Sequence, residues 1–491
     1  MKKILKVFRK SVIALFLFVV VYILFLNFTN IFSQKSYFVF LIIPVLLIFI
    51  YFLSKIKRIK NKKVSFFISF LFILIITLIL LYIGFKTRVN STWDYHFILK
   101  EVYKYVNGVE TRVDYFARYP NNIPLFLVQI FLAKIGQLYN PLITATGIQS
   151  ITIIVNALII VFSIFLLRMI ANKVVNRRAA NILLIISLLY CPLYLYTTIM
   201  YTDTIGMLFN VISLFLFYVS LVVRNKKIKL LSNIFLVLAV VIGFKFKATN
   251  IFILIAIIMQ LLYDKSIRKI CFLMFFTIIS NLFLGVLIDN AYPISDEEID
   301  RYNFPYTHWV MMSLNPKTKG GYIEEDVQYS KSFITMEDRK KGINERLKER
   351  INNYSTAELL NRVLYLKPIN TWGNPCLGSD DYLQRNPKEW NYINKTVTFK
   401  QENYKYYKIY VSAVYLIIIV GMFISGIVNF NDNNKFIFIS QITLIGIFAF
   451  ELLWETHARY VYTFLPFMLL CASYGYAKIF DIFKGGEKYE K

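Results

Sequence analysis

The sequence predicts an all-α polytopic membrane protein with about twelve transmembrane helices and a mixed, mostly helical extracytoplasmic domain between the late spans. Hydrophobic residues make up 57% of the 491 residues, and mean hydropathy is +0.55. Soluble domains carry about 45–50% apolar residues. Apolar runs of about 18 or more residues recur along the chain, each long enough to cross a bilayer.

The net charge of +27 has its source in short basic clusters between the apolar runs. These clusters lie at 55–63, 168–178, 224–229 and 265–269. Short basic loops between membrane spans stay on the cytoplasmic side. We therefore interpret the charge as a topology signal, and we expect no nucleic-acid partner.

The apolar runs and the basic loops together define the predicted topology. The first run follows a basic start, yet it is too long for a signal peptide and lacks a small-residue cleavage site, so it is predicted to be a retained span. Both termini are predicted to be cytoplasmic. The predicted spans are 11–33, 36–54, 64–86, 142–167, 180–198, 204–223, two within 230–264, 270–289, 408–430, 436–454 and 460–479.

Two segments need the basic loops for their assignment. If 122–138 crossed the membrane, three basic clusters would fall outside, so we predict an amphipathic helix in the outer interface. The segment 230–264 has basic flanks at both ends, which predicts a hairpin of two short spans. Its turn, 243–250, then places Lys245 and Lys247 at the outer face.

Four regions follow from this topology. Residues 1–63 form two N-terminal spans and a basic cytoplasmic loop. Residues 64–289 form a transmembrane core with an outer loop at 87–141 and interfacial helices. Residues 290–406 form a soluble extracytoplasmic domain, and residues 407–491 form three C-terminal spans and a cytoplasmic tail.

Ionisable residues from distant parts of the chain gather on the outer side of this topology. They include Asp94 and His96 in TWDYHF, Asp203 in MYTDTIG, the two lysines of the hairpin turn, and ETHARY at 455–460. Ionisable groups at membrane depth indicate a functional site. Alternatives stay open for most of them. Asp203 could be a helix N-cap, Lys247 a snorkelling side chain, and Arg459 an ordinary residue flanking a span on the outer side. The three histidines, His96, His308 and His457, could be surface residues, and Trp93, Trp454 and Tyr460 could be interface aromatics.

The order and sidedness of these residues resemble the GT-C glycosyltransferases, which include protein O-mannosyltransferases and lipid A aminoarabinose transferases. Asp94 matches the acid that opens the first outer loop, and Asp203 matches the acid that begins a later span. RYPNNIPLF, at 118–126, is similar to the family's interfacial helix. Lys247 matches a hairpin lysine. Glu455, Arg459, Tyr460 and Pro466 match the C-terminal pattern. The resemblance covers 64–480. Asn121 and Asn122 stand where mannosyltransferases carry a second proline, so no particular sugar or acceptor is implied.

The resemblance implies a chemistry for each residue. The donor would be a polyprenyl-phosphate sugar in the bilayer, and the acceptor a hydroxyl of an envelope glycan or protein at the outer face of a bacterial plasma membrane. Asp94 would be the catalytic base, and Asp203 would orient the acceptor or a cation. Lys247, Arg459 and Lys245 would bind the donor phosphate. The supporting residues would be Tyr95, His96, Arg118, Asn121, Asn122, Glu455, His457 and Tyr460. No cofactor is certain. Some GT-C members use Mg²⁺ or Mn²⁺ and others do not, so a metal stays open.

Two other classes of protein remain open at this point. A polysaccharide polymerase or ligase would use the same kind of lipid-linked donor but would transfer a chain. A lipid-linked sugar transporter or flippase would instead place ionisable residues at mid-membrane around a central path, whereas here they gather at one surface.

Overall fold

The computed structural model describes residues 2–57, 60–90 and 93–482, and its architecture is all-α. Within those ranges the only β pairing is an isolated antiparallel bridge between Val89 and Pro387. The predicted cytoplasmic tail, 483–491, lies outside the described residues. The predicted all-α polytopic fold is confirmed.

The N-terminal half contains long apolar helices separated by a group of shorter ones. The helices are α1 (Lys2–Ser33), α2 (Val39–Ser54), α3 (Lys62–Lys86), α4 (Asp94–Val106), α5 (Val113–Arg118), α6 (Ile123–Gln137), α7 (Ala145–Val174), α8 (Arg177–Leu189), α9 (Pro192–Leu195), α10 (Thr202–Val222), α11 (Lys226–Phe246), α12 (Ile251–Tyr263) and α13 (Ile267–Ala291). Short 3₁₀ turns at Pro120–Asn122, Tyr196–Thr198 and Ala248–Asn250 precede α6, α10 and α12.

The segment 290–406 folds as short helices, and long helices return after it. The short helices are α14 (Asp296–Tyr302), α15 (Tyr306–Ser313), α16 (Glu324–Lys331), α17 (Met336–Asn353), α18 (Thr356–Asn361), α19 (Lys367–Thr371), α20 (Ser379–Gln384) and α21 (Tyr392–Val397), with a π-helical turn at Arg362–Leu366. The C-terminal helices are α22 (Tyr404–Asp432), α23 (Lys435–Leu453), α24 (Arg459–Tyr462) and α25 (Leu465–Ile482).

Eight helices in the described residues are long and apolar enough to cross a membrane, or nine if the bent α8–α9 segment is one span. The two parts of that segment meet at 64°. Two shorter apolar helices occupy Val39–Ser54 and Ala248–Tyr263. The chain is therefore a multi-pass membrane protein. Every predicted span overlaps a helix, while the count of twelve stays a prediction.

The predicted hairpin at 230–264 is present, and buried amides hold its turn. Helices α11 and α12 meet at Lys247, as the basic flanks predicted. Asn250 Nδ2 donates to the Gly243 carbonyl at 2.8 Å, and Asn210 Nδ2 donates to Asn250 Oδ1 at 3.0 Å. Asn210 Nδ2 also lies 3.3 Å from the Thr463 carbonyl. Because buried amides are costly unless paired, this network fixes the backbone that carries Lys247.

A second break in the helices is held in the same way. Asn156, on α7, donates from Nδ2 to the carbonyls of Tyr196 at 2.8 Å and Thr197 at 3.1 Å. These carbonyls belong to the turn between α9 and α10, where regular helix bonding stops. The next residues, Tyr201 to Asp203, begin α10 at the site. The two breaks therefore bring Asp203 and Lys247 to the same end of the helices.

Candidate active site

One large cavity, of about 1330 Å³, opens where the long helices meet the short helices of the outer loop and of 290–406. Ten of the thirteen predicted site residues line it. They are Asp94, Arg118, Asn121, Asn122, Lys245, Lys247, Glu455, His457, Arg459 and Tyr460. Asp203, Tyr95 and His96 do not line it. The structure thus brings together residues that are far apart in the sequence.

Asp203 lies directly behind the cavity wall and holds two cations. It forms an ion pair with Lys247 Nζ, and Arg459 Nε lies 3.9 Å from its Oδ2. Lys247 Nζ also donates to Thr463 Oγ1 at 3.1 Å. The Asp203 and Lys247 side chains are only 2% and 11% exposed. The alternative roles are therefore wrong: Tyr201 is the N-cap of α10, and Lys247 is held within the protein.

Arg459 sits in a cage of aromatic rings. Its guanidinium carbon lies 4.9 Å from the Trp93 ring centroid, 4.8 Å from Tyr201, 5.5 Å from Tyr382 and 5.6 Å from Tyr460. Such contacts stabilise a desolvated cation. Within the described part of the chain, its Nε and Nη1 make no hydrogen bond. The rings thus hold the guanidinium in place at the cavity wall.

Asp94 is the first residue of α4, where the helix dipole favours a negative charge. The Tyr201 hydroxyl lies 3.2 Å from Asp94 Oδ2 and 3.1 Å from Asn122 Oδ1, and it can donate to either. Burial, followed by the nearby Asp94 carboxylate, raises the pKa of Tyr201 well above its ordinary value, so the hydroxyl keeps its proton. Since the Tyr201 ring also contacts Arg459, it links the acid to the cation.

The loop that carries Glu455 and His457 is fixed from two sides. His457 Nε2 lies 2.9 Å from Glu455 Oε1, and the Tyr382 hydroxyl lies 3.2 Å from His457 Nδ1. The Thr456 amide donates to the Gly320 carbonyl at 2.8 Å. Gly320 has φ +92, a conformation that favours glycine. Gly320 therefore helps to position the loop that carries Glu455 and His457.

The two predicted supporting residues beside Asp94 face away from the cavity. Tyr95 is fully buried, its hydroxyl donates to the Thr198 carbonyl at 2.7 Å, and it accepts from Gln149 at 3.2 Å. It anchors α4 against α7. His96 is half-buried, and burial together with Lys100 lowers its pKa.

The other two histidines, His308 and His457, differ in their exposure to solvent. His308 is fully buried rather than at the surface, and its Nδ1 lies 2.7 Å from Ser330 Oγ. Burial lowers its pKa to about 4. The neighbouring Trp309 does line the cavity. His457 is partly exposed and belongs to the site.

Four residues of the site were not predicted from the sequence. Tyr201 and Thr463 lie next to predicted positions, and proximity alone could have drawn attention to them. Tyr382 comes from 290–406, where no sequence pattern singled it out. Glu451, buried near the C-terminal end of α23, interacts electrostatically with Lys247. A single acid inside an apolar run was the available signal for it.

The donor set does not fit a divalent metal. Among the described residues, no group of three or more His, Cys, Asp or Glu side chains comes together in a way that could hold one. The oxygens of Asp203 face Lys247 and Arg459 instead. Mg²⁺ prefers several oxygen ligands in octahedral geometry, whereas the Asp203 carboxylate is engaged by two cations.

Among known proteins, the chain matches one family and is similar to one solved structure reported below. Residues 2–479 match a family described as conserved hypothetical integral membrane protein. No curated protein matches the sequence. The chain is similar to a crystal structure of ArnT from Cupriavidus metallidurans bound to undecaprenyl phosphate, with 10% identity and a TM-score of 0.37, over 83% of this chain and 77% of that one. Because the family match spans nearly the entire sequence, the chain belongs to the conserved hypothetical integral membrane protein family.

Proposed function

We propose that the protein is a GT-C-type glycosyltransferase that moves a sugar from a polyprenyl-phosphate donor to a hydroxyl of an envelope polymer or protein. One observation carries this proposal. A carboxylate, Asp94, and two buried cations, Lys247 and Arg459, line the same cavity at the end of the membrane helices. Tyr201 contacts both the carboxylate and Arg459.

The residues fit a direct displacement. The acceptor hydroxyl oxygen attacks the anomeric carbon, and its proton passes to the Asp94 carboxylate. The bond between the anomeric carbon and the phosphate oxygen breaks, and the phosphate leaves with the electron pair. Lys247 and Arg459 stabilise that developing charge, with Lys245 at the same wall. A phosphate leaving group needs this stabilisation more than it needs a strong general acid.

Asp203 acts through the two cations. Its carboxylate stands behind Lys247 and Arg459, away from the cavity, so it sets their position and compensates their charge before a donor binds. When the donor phosphate binds, Lys247 and Arg459 each lie between that phosphate and the Asp203 carboxylate. Fixed charges aimed at the reacting group cost no reorganisation during the reaction.

The cavity wall also suits a lipid. Gly285 and Ile288 on α13 and Phe450 on α23 line the cavity beside the two lysines of the hairpin turn. Apolar side chains from membrane helices on this side would accompany the polyprenyl tail, while the phosphate reaches Lys247. From the basic loops we propose that this site faces outward from a bacterial plasma membrane, with both termini cytoplasmic.

Donor binding is the direct test. Purified protein in nanodiscs would be titrated with undecaprenyl phosphate and followed by native mass spectrometry. We expect wild type to bind, and Lys247→Gln and Arg459→Gln each to weaken binding at least about tenfold, because a charged hydrogen bond to phosphate is lost. Lys229→Gln is the matched control, since Lys229 lies on α11 at its opposite end and is exposed. Equal binding by all four proteins would refute the donor assignment.

A further inference from the structure

A group of cations lies at the mouth of the cavity, apart from Lys247 and Arg459. Arg112 and Arg118 come from the outer loop, and Lys331 and Lys340 come from helices α16 and α17. All four line the cavity. We call these four residues the mouth cluster. The function proposed above uses the lysines of the hairpin turn and Arg459, so it leaves this cluster without a role.

Nearby acids compensate only part of this charge. Arg112 makes a two-point contact with Asp114, at 3.0 and 2.8 Å. Arg118 Nη2 lies 3.7 Å from the same carboxylate, and Lys331 Nζ lies 4.0 Å from Glu324 Oε1. Asp114 and Glu324 thus pair with three of the four cations. Arg112, on which the Glu101 carboxylate also acts, has the better geometry with Asp114.

Arg118 is the clearest sign of a missing partner. Its side chain is only 10% exposed, and its buried Nε makes no hydrogen bond within the described residues. Buried donors are nearly always paired, so an unpaired one needs an explanation. The guanidinium packs 5.9 Å from the Tyr119 ring and 5.5 Å from the Phe304 ring, which fix it at the cavity wall.

The cations also act on one another. Burial lowers the pKa of Lys331, and the positive charge of Arg118 lowers it further, while the Glu324 and Asp114 carboxylates offset part of this effect. Like charges held together without a ligand repel one another. An anion bound among them would remove this repulsion.

We propose that the mouth cluster is a second anion-binding subsite, which takes a phosphate or carboxylate group of the acceptor. An acceptor held there by its own negative charge would present a hydroxyl to Asp94 while the donor phosphate occupies Lys247 and Arg459. The proposal rests on the proposed function, and it names the acceptor as an anionic envelope polymer rather than a neutral glycan.

The wall between the two subsites suits a sugar-containing chain. Tyr119 and Trp309 line it, with ring centroids 6.0 Å apart, and the Trp309 ring stacks on Trp454 at 6.1 Å. Asn121 lies on the same wall. Aromatic faces and an amide are typical contacts of a glycan backbone, and the cations at the mouth would select for its charge.

The test measures binding of defined probes to full-length protein in nanodiscs, without a sugar donor. Oligo(glycerol phosphate) is the phosphate probe, oligogalacturonate is the carboxylate probe, and an uncharged glycerol oligomer is the neutral probe. We expect at least one charged probe to bind, and the neutral probe not to bind. Arg118→Gln should weaken binding about tenfold, as for a charged hydrogen bond, and Lys331→Gln and Lys340→Gln should each weaken it several-fold.

Lys341→Gln is the matched control, because Lys341 is exposed on α17 next to Lys340 but does not line the cavity. It should bind as wild type does. Lys247→Gln should keep probe binding while it loses undecaprenyl phosphate, which separates this proposal from the donor assignment. The proposal is overturned if neither charged probe binds, if the mouth variants bind as wild type, or if Lys341→Gln loses as much as Lys340→Gln.

Discussion

Replacing Asp203 with asparagine should destabilise the protein strongly, because it leaves two cations in a buried place. The Asp203 side chain is 2% exposed, and those of Lys247 and Arg459 are 11% and 9% exposed. Breaking a buried ion pair by removing one partner costs about 3–5 kcal/mol. The Arg459 contact at 3.9 Å alone corresponds to about 4 kcal/mol at an effective dielectric constant of about 20. We therefore expect a loss of 3–5 kcal/mol, as an order of magnitude.

The assay is thermal unfolding in detergent, followed by intrinsic tryptophan fluorescence, since Trp372 is buried. At about 2 °C per kcal/mol for a large domain, Asp203→Asn should lower Tm by roughly 6–10 °C. The double variant Asp203→Asn, Lys247→Met should recover part of this loss, because one unpaired charge is removed. A single variant that unfolds at the wild-type temperature would refute the reasoning that these charges are buried and mutually compensated.

Three further predictions follow from the supporting contacts. His308 has a pKa of about 4 in the folded protein against about 6.5 when unfolded, so the unfolded state binds the proton first as pH falls. The free energy of unfolding should therefore fall by about 3 kcal/mol between pH 6.5 and 4. In the His308→Asn variant, whose amide keeps a partner for Ser330, chemical denaturation should show a free energy of unfolding that depends less on pH. Tyr201→Phe should lower the transfer rate about tenfold with folding intact, because Asp94 loses a hydrogen bond; an unchanged rate constant would contradict that role. Gly320→Ala should lower Tm and activity together, because a methyl group there would lie 2.8 Å from Lys367 Cγ and 3.1 Å from Thr456 Cγ2. Gly108→Ala is the control, because Gly108 has φ +71 but no atom within 4 Å of the added methyl group. It should show only the backbone strain, about 1–3 kcal/mol.

Most of the fold was predicted from the hydropathy of the sequence and from the positions of its basic residues. Apolar length marks membrane helices because the bilayer core has a fixed thickness, and every predicted span overlaps a helix of the structure. The hairpin at 230–264 needed a further constraint, the basic residues at both ends, and the break at Lys247 confirms it.

The residues that touch the predicted groups could not be read from the sequence. Asp203 and Lys247 were both singled out, yet nothing in their spacing indicated that they pair, because that contact depends on two helix breaks held by Asn156 and Asn250. Tyr382 reaches Arg459 from a segment with no regular pattern. Such contacts are set by tertiary packing, and they cannot be predicted from the local sequence.

The most direct test of the central claim is the composition of the cell envelope. The gene would be deleted and restored with wild type, Asp94→Asn or Glu337→Gln, Glu337 being an exposed acid on α17 that does not line the cavity. Envelope polymers and surface proteins would then be analysed by mass spectrometry at equal expression. We expect deletion to remove a sugar that wild type and Glu337→Gln restore and Asp94→Asn does not. Full restoration by Asp94→Asn, or no glycan change on deletion, would contradict a transferase with Asp94 as its base.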